Sequence, residues 1–258
     1  MKWMALACIF LVLMVGIGEK TTHFSIKYSD SKAFTPGTGR ALEDAYRAVD
    51  STLGNLPKAI KVVVVDGDEM DNVGKHVEAF SAWNTQSSTI VLRGDTLKDK
   101  KSLGVVAKHE ICHLALNDIL EKKGKSNYAW MEEGICMVVS NEPLDDVKVA
   151  KYITSNGFMS PQEIAKAIDC KDYEVCKNGY LQSFSLCKKI SQRYGMRTLV
   201  DVIKSPNPDF EVAFRQLTGQ DFKRFYNEWR ASVEADARGK ASPRSLTIHG
   251  YLCLDEAC

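Results

Sequence analysis

LGVVAKHEICHLAL, residues 103–116, places two histidines four positions apart within an apolar run. The apolar flanks predict a helix that is buried on most sides. Residues four apart lie one turn apart on the same helix face, so the imidazoles of His109 and His113 can reach one metal ion. Glu110 lies beside that face, where a carboxylate can take a proton from a zinc-activated water. The stretch therefore predicts a zinc site with Glu110 as general base.

A plainer interpretation is a buried helix whose histidines only hydrogen-bond to neighbouring groups, because such a motif is confirmed only by its context. Histidine is rare in this chain, with 5 in 258 residues, so a chance match is uncommon. A catalytic zinc site also needs a third protein ligand and one open position. WMEEG, residues 130–134, offers two carboxylates for that role, Glu132 and Glu133.

The composition is that of an ordinary globular protein, with 45% hydrophobic and 26% charged residues. A formal net charge of +1 gives no electrostatic reason to expect a nucleic-acid partner. Residues 1–18 predict a secretory signal peptide, because the uncharged run after Lys2 is short for a membrane span. We therefore expect a secreted or periplasmic protein that meets the membrane only through this segment. An uncleaved N-terminal anchor is the alternative.

Export would permit disulfide bonds. Removing the signal leaves seven of the eight cysteines, an odd number, so at least one is free or pairs with another chain. Cys112 and Cys136 lie next to the two motifs. We interpret them as small buried residues or as a bridge between two packed helices, although either could in principle bind zinc. The other candidate pairs are Cys170 with Cys176 and Cys253 with Cys258.

The hydrophobic pattern predicts an α+β fold. Strands are expected at 23–28, at 60–65 and as a pair within 78–92, with an amphipathic helix at 39–53. The motif helix is expected at about 102–122, and from residue 128 on the pattern is helical. We therefore predict four segments: a signal peptide (1–18), a small mixed α/β lobe that ends in the motif helix (19–123), a helical lobe that carries the third ligand (124–235) and a C-terminal tail (236–258).

The two motifs together resemble those of the gluzincin metallopeptidases, in particular the bacterial peptidase-MA-like domains. In that family the second motif reads tryptophan, an aliphatic residue, any residue, glutamate and glycine, and the glutamate is the third zinc ligand. The resemblance implies Zn²⁺ held by His109, His113 and Glu133 in a thermolysin-like zincin fold. Glu132 is the fallback ligand, because it restores the spacing of the aminopeptidase branch. The resemblance also suggests Tyr180 as a donor to the developing oxyanion, with a merely packed core tyrosine as the alternative.

The sequence departs from the aminopeptidases at Met137, because they have a carboxylate four residues after the zinc glutamate and its loss could weaken metal binding. The expected function is an exported zinc metallopeptidase that hydrolyses peptide bonds in a peptide or protein substrate, with Glu110 as general base. The alternative is a catalytically inactive binding or assembly module of the same fold, which Met137 motivates. The signal segment and the neutral charge argue against an intracellular protease of DNA-bound proteins.

Overall fold

The structure, a computed structural model, describes residues 18–29, 34, 36–74, 77–84, 87–94, 99–121, 128–168 and 172–239. These ranges form one five-stranded mixed sheet and ten helices, which confirms the predicted α+β class. The predicted signal peptide lies outside them except for Gly18, and the predicted tail lies outside them except for 236–239. Among the helices in these ranges, none is long and apolar enough to cross a membrane.

The sheet has the strand order β1-β2-β3-β5-β4. The three central strands run parallel to one another, and the two outer strands pair antiparallel to their neighbours. The predicted strands are confirmed, whereas β1 was not predicted. The bounds are β1 Gly18–Lys20, β2 Phe24–Tyr28, β3 Ile60–Val65, β4 Ala79–Asn84 and β5 Ser87–Arg93.

The helices predicted at 39–53 and about 102–122 are confirmed with small shifts at their ends, and the region from residue 128 on is helical, as predicted. After β3 the chain opens a short helix, because the Asp66 side chain accepts a hydrogen bond from the backbone N–H of Glu69 and caps it. The bounds are α1 Thr38–Leu53, α2 Gly67–Asp71, α3 Lys100–Glu121, α4 Ala129–Ser140, α5 Asp146–Asn156, α6 Pro161–Ile168, α7 Tyr173–Tyr194, α8 Met196–Lys204, α9 Phe210–Thr218 and α10 Phe222–Ala237.

Helix α3, which carries the two histidines, packs against α1, α4 and the edge strand β4. Its side chains Leu103, Val106 and Ile111 are fully or almost fully buried, as the apolar flanks predicted. One apolar core joins sheet residues such as Val62 with C-terminal residues such as Trp229. The α/β part and the helical part of the described chain therefore share a core, and the predicted boundary at 123/124 lies outside the described residues.

The glycine of the second motif lets α4 approach α7 closely. A Cβ atom at Gly134 would lie 2.4 Å from the backbone oxygen of Ser183 and 2.5 Å from Sγ of Cys187. Four residues earlier on α4, Trp130 is fully buried and packs edge-on against Phe210. These two contacts fix the rotation of α4 about its axis and so the direction in which its acidic residues point.

Candidate metal centre

The two histidines of α3 lie side by side in the interior. Their ring centroids are 4.9 Å apart, and the ring planes are tilted by 59°. Both residues are buried. This is the geometry that the four-residue spacing predicted, because α3 runs as one helix through the whole motif.

Helix α4 brings a carboxylate oxygen to both rings. Glu133 Oε2 lies 3.4 Å from His109 Nε2 and 3.5 Å from His113 Nε2. Two ligands about 2.1 Å from one ion at a tetrahedral angle are about 3.4 Å apart. One ligand atom from each of these residues can be chosen so that all three lie within 4.8 Å of one another. Residues His109, His113 and Glu133 can therefore hold a metal ion.

The same carboxylate oxygen makes no well-formed hydrogen bond. Glu133 Oε2 is buried, and its contacts with the two Nε2 atoms, at 3.4 and 3.5 Å, are not well-formed hydrogen bonds. A buried anionic oxygen without a well-formed hydrogen bond gains from a cation placed between it and the rings. Two imidazole nitrogens and one such oxygen are donors that suit zinc, so the residues present fit the expected cofactor.

Glu132 has a different place in the centre. Its Oε1 lies 2.8 Å from Nδ1 of His113, the ring nitrogen on the other side from Glu133. The two neighbouring acids thus face opposite nitrogens of one imidazole. Of the two candidates for the third ligand, Glu133 is the one that meets both Nε2 atoms.

A fourth acid, Glu142, was missed by sequence reasoning. Its Oε1 lies 3.1 Å from Nδ1 of His109, and both side chains are only 1% exposed. The resemblance directed attention to position 137, where the chain has a buried methionine. A usable signal was Asn141 after an apolar helix, because asparagine at that place often adopts a left-handed turn and reverses the chain.

Glu110 is buried beside this cluster. Burial raises the pKa of its carboxyl group, and the neighbouring imidazoles of His113 and His109 offset that only in part. Ser81 on the edge strand β4 also hydrogen-bonds to it. A carboxylate with a raised pKa can accept a proton and return it near neutral pH, which is what a general base requires.

The acids also control the protonation of the metal-free centre. Burial lowers the pKa of His109, but Glu133 and Glu142 outweigh it and raise the pKa to about 9. Burial also lowers the pKa of His113, but Glu133 and Glu132 outweigh it and hold that pKa well above its usual value. Burial raises the pKa of Glu133, but the two imidazoles outweigh it, so the net pKa lies well below the usual value. Metal binding must therefore displace protons from the rings.

Tyr180 and the cysteines of the described residues lie on α3, α4 and α7 and do not belong to the three-residue group. Tyr180 is 6% exposed on α7, the helix that α4 approaches at Gly134. Cys112 and Cys136 are free and buried, so the expected alternative of a bridge between them is not present. Cys176 is disulfide-bonded, and its expected partner Cys170 lies outside the described residues.

Comparison with known proteins adds no relative. No protein-family model matches the sequence, and no curated protein matches it.

Proposed function

We propose that this chain is an exported zinc-dependent peptidase of the gluzincin type, with a thermolysin-like fold. The observation that carries the proposal is the convergence of His109 Nε2, His113 Nε2 and Glu133 Oε2 on one point, beside the buried Glu110. Export rests on the composition of residues 1–18. The substrate is a peptide or protein, and no nucleic acid is involved.

In this proposal each residue has one task. His109, His113 and Glu133 hold the zinc ion and leave one side open. Zinc, when bound, supplies Lewis acidity that activates water and polarises a carbonyl group. Glu110 takes the proton of the attacking water and then delivers it to the departing amine, for which its raised pKa suits it. Tyr180 donates a hydrogen bond to the oxyanion of the scissile carbonyl.

The inactive module remains the competing function, and its motive was the missing acid at position 137. That motive is weaker, because Glu142 brings a carboxylate to His109 from another position. An inactive module would bind zinc without hydrolysis, or would bind no zinc. An active peptidase must bind zinc and also hydrolyse a peptide substrate.

The first test is Glu110→Gln in the full chain. Zinc content and cleavage of an unfolded protein and of a peptide library are measured for the wild type and the variant. We expect the variant to keep one zinc per chain and to lose about 100-fold to 10,000-fold of turnover, because the general base is gone. Glu43→Gln is the matched control, because it is another poorly exposed glutamate outside the centre. It should keep full turnover.

Two results would overturn the proposal. Zinc binding by the wild type without cleavage of any substrate in the library would favour the inactive module. Undiminished turnover in Glu110→Gln would remove Glu110 from the mechanism.

A further inference from the structure

An imidazole that binds a metal through Nε2 must carry its proton on Nδ1. A group that accepts a hydrogen bond from Nδ1–H therefore selects the tautomer and fixes the ring plane. At His109 the neighbour of Nδ1 is Glu142 Oε1, at 3.1 Å, while Nε2 faces Glu133 Oε2 at 3.4 Å. The two nitrogens of this ring thus meet two different acids.

Glu142 reaches the ring because the chain reverses at the end of α4. The helix ends at Ser140, and Asn141 adopts the left-handed conformation with φ 58° and ψ 53°. The backbone N–H of Glu142 then donates to the carbonyl oxygen of Met137, at 3.3 Å. The carboxylate therefore comes back toward α3 from a turn outside the helix that carries Glu133.

Burial makes this contact strong. The side chains of His109 and Glu142 are each 1% exposed, so water neither competes for the hydrogen bond nor screens it. The position four residues after Glu133 is the fully buried Met137, which offers no charge. In this chain the carboxylate beside Nδ1 of His109 belongs to Glu142.

We propose that Glu142 is a positioning residue of the metal centre, which accepts the Nδ1–H of His109 and thereby directs Nε2 of that ring at the metal ion. The inference rests on the proposed function, because it requires the metal-binding centre. It adds a residue that neither motif contains. Glu142 does not touch the ion; it acts through the orientation and basicity of His109.

A purely structural role is the rival explanation. The contact between Glu142 and His109 would then only attach the turn after α4 to α3. Removing it would lower the stability of the metal-free protein and leave zinc affinity unchanged once the protein is folded. The two explanations thus differ in the zinc affinity of the folded protein.

The experiment measures the dissociation constant for zinc alone, by competition with a chromogenic chelator, in the full chain. Glu142→Ala should weaken binding by about 10-fold to 100-fold, the range for loss of a contact behind a metal ligand. Glu142→Gln, which keeps a neutral acceptor, should weaken it less. The matched control is Glu43→Gln, since Glu43 Oε2 also lies against a histidine Nδ1, that of His23, at 2.7 Å. It should bind zinc like the wild type.

A second measurement needs no alanine variant and covers the case in which Glu142→Ala fails to fold. Nitrogen-15 NMR of the zinc-loaded wild type reports which nitrogen of His109 carries the proton. Nδ1–H is expected, and Glu142→Gln should shift that signal while the signal of His23 stays in place. A proton on Nε2 of His109 would overturn the inference.

The outcomes separate this inference from the proposed function. Zinc affinity that is unchanged within about twofold in folded Glu142→Ala overturns the positioning role and leaves the peptidase proposal standing. Weaker binding in a protein that cleaves no substrate supports the positioning role and overturns the peptidase. A wild type that binds no zinc overturns both.

Discussion

His23 and His109 each place Nδ1 against a glutamate, yet only His109 belongs to the candidate metal centre. His23 Nδ1 lies 2.7 Å from Glu43 Oε2, and its ring stacks on Tyr46 with 3.8 Å between the ring centroids. Its side chain is 28% exposed, against 1% for His109. Within the described part of the chain, His23 joins no group of three potential ligands.

The difference lies at the other ring nitrogen. At His109, Nε2 faces a buried carboxylate oxygen at 3.4 Å, and that oxygen makes no well-formed hydrogen bond. At His23, the contact with Glu43 holds a turn to a helix: the same carboxylate also accepts from the Thr21 hydroxyl and from the His23 backbone N–H. A carboxylate behind a histidine is therefore common to both a structural pair and a metal site. What distinguishes the candidate metal centre is the second acid, which faces Nε2 of the ring.

The largest expected effect is a loss of zinc affinity at the proposed metal centre. Glu133→Gln removes the charge that both Nε2 atoms face, so zinc affinity should fall by more than about 100-fold, beyond the loss expected for a contact behind a ligand. The same change at Glu43 should leave affinity unchanged. Isothermal titration with zinc measures both. Equal affinities for Glu133→Gln and the wild type would remove Glu133 from the ligand set.

The next effect concerns the stability of the fold, and here the pair of His23 and Glu43 is the one that should be affected. Glu43→Gln should lower the free energy of unfolding of the metal-free protein by about 1 to 2 kcal/mol, since it weakens hydrogen bonds to a charged acceptor. Urea unfolding followed by circular dichroism measures this. A wild-type midpoint in Glu43→Gln would show that the Glu43 contacts contribute nothing to the fold.

The smallest effect is a pH dependence that belongs to the structural pair. Burial raises the pKa of Glu43, but hydrogen bonds from Thr21 and His23 outweigh it, so the net pKa is lowered. A carboxyl group with a lowered pKa in the folded state contributes stability above its unfolded pKa of about 4.5. That contribution is lost as the pH falls through the lowered folded value.

The measurement for this effect is the difference in unfolding free energy between the wild type and Glu43→Gln at several pH values. The difference should shrink as the pH is lowered below about 4.5 toward the lowered pKa of the folded protein. A difference that grows toward acid would contradict the lowered pKa of Glu43.

Much of the fold was predictable because its signals are local. The apolar run at 60–65 and the amphipathic pattern at 39–53 became β3 and α1. The sequence did not predict β1, because three residues without a clear alternation carry no periodic signal. Helix α5 was not predicted as a separate element, although Asp145 caps it through the backbone N–H of Lys148.

The candidate metal centre was likewise predictable only in part. His109, His113 and Glu110 were identified from one helical turn. The choice between Glu132 and Glu133 stayed open, because adjacent residues on a helix differ by about 100° in direction and the rotation of α4 is a matter of packing. Glu142 could not be predicted from the helical spacing that points to position 137, four residues after Glu133, since Glu142 lies beyond the end of the helix.

The sequence by itself determined that two imidazoles lie on one face of a buried helix with an acid beside them, because the geometry of an α-helix relates neighbours within a turn. Only the tertiary structure decided which carboxylate faces Nε2 and which ones face Nδ1. That choice depends on how closely α4 packs at Gly134 and on the left-handed turn at Asn141. The packing at Gly134 depends on contacts with a helix distant along the chain, and the turn at Asn141 lies beyond the end of α4. No repeat in the sequence encodes either of them.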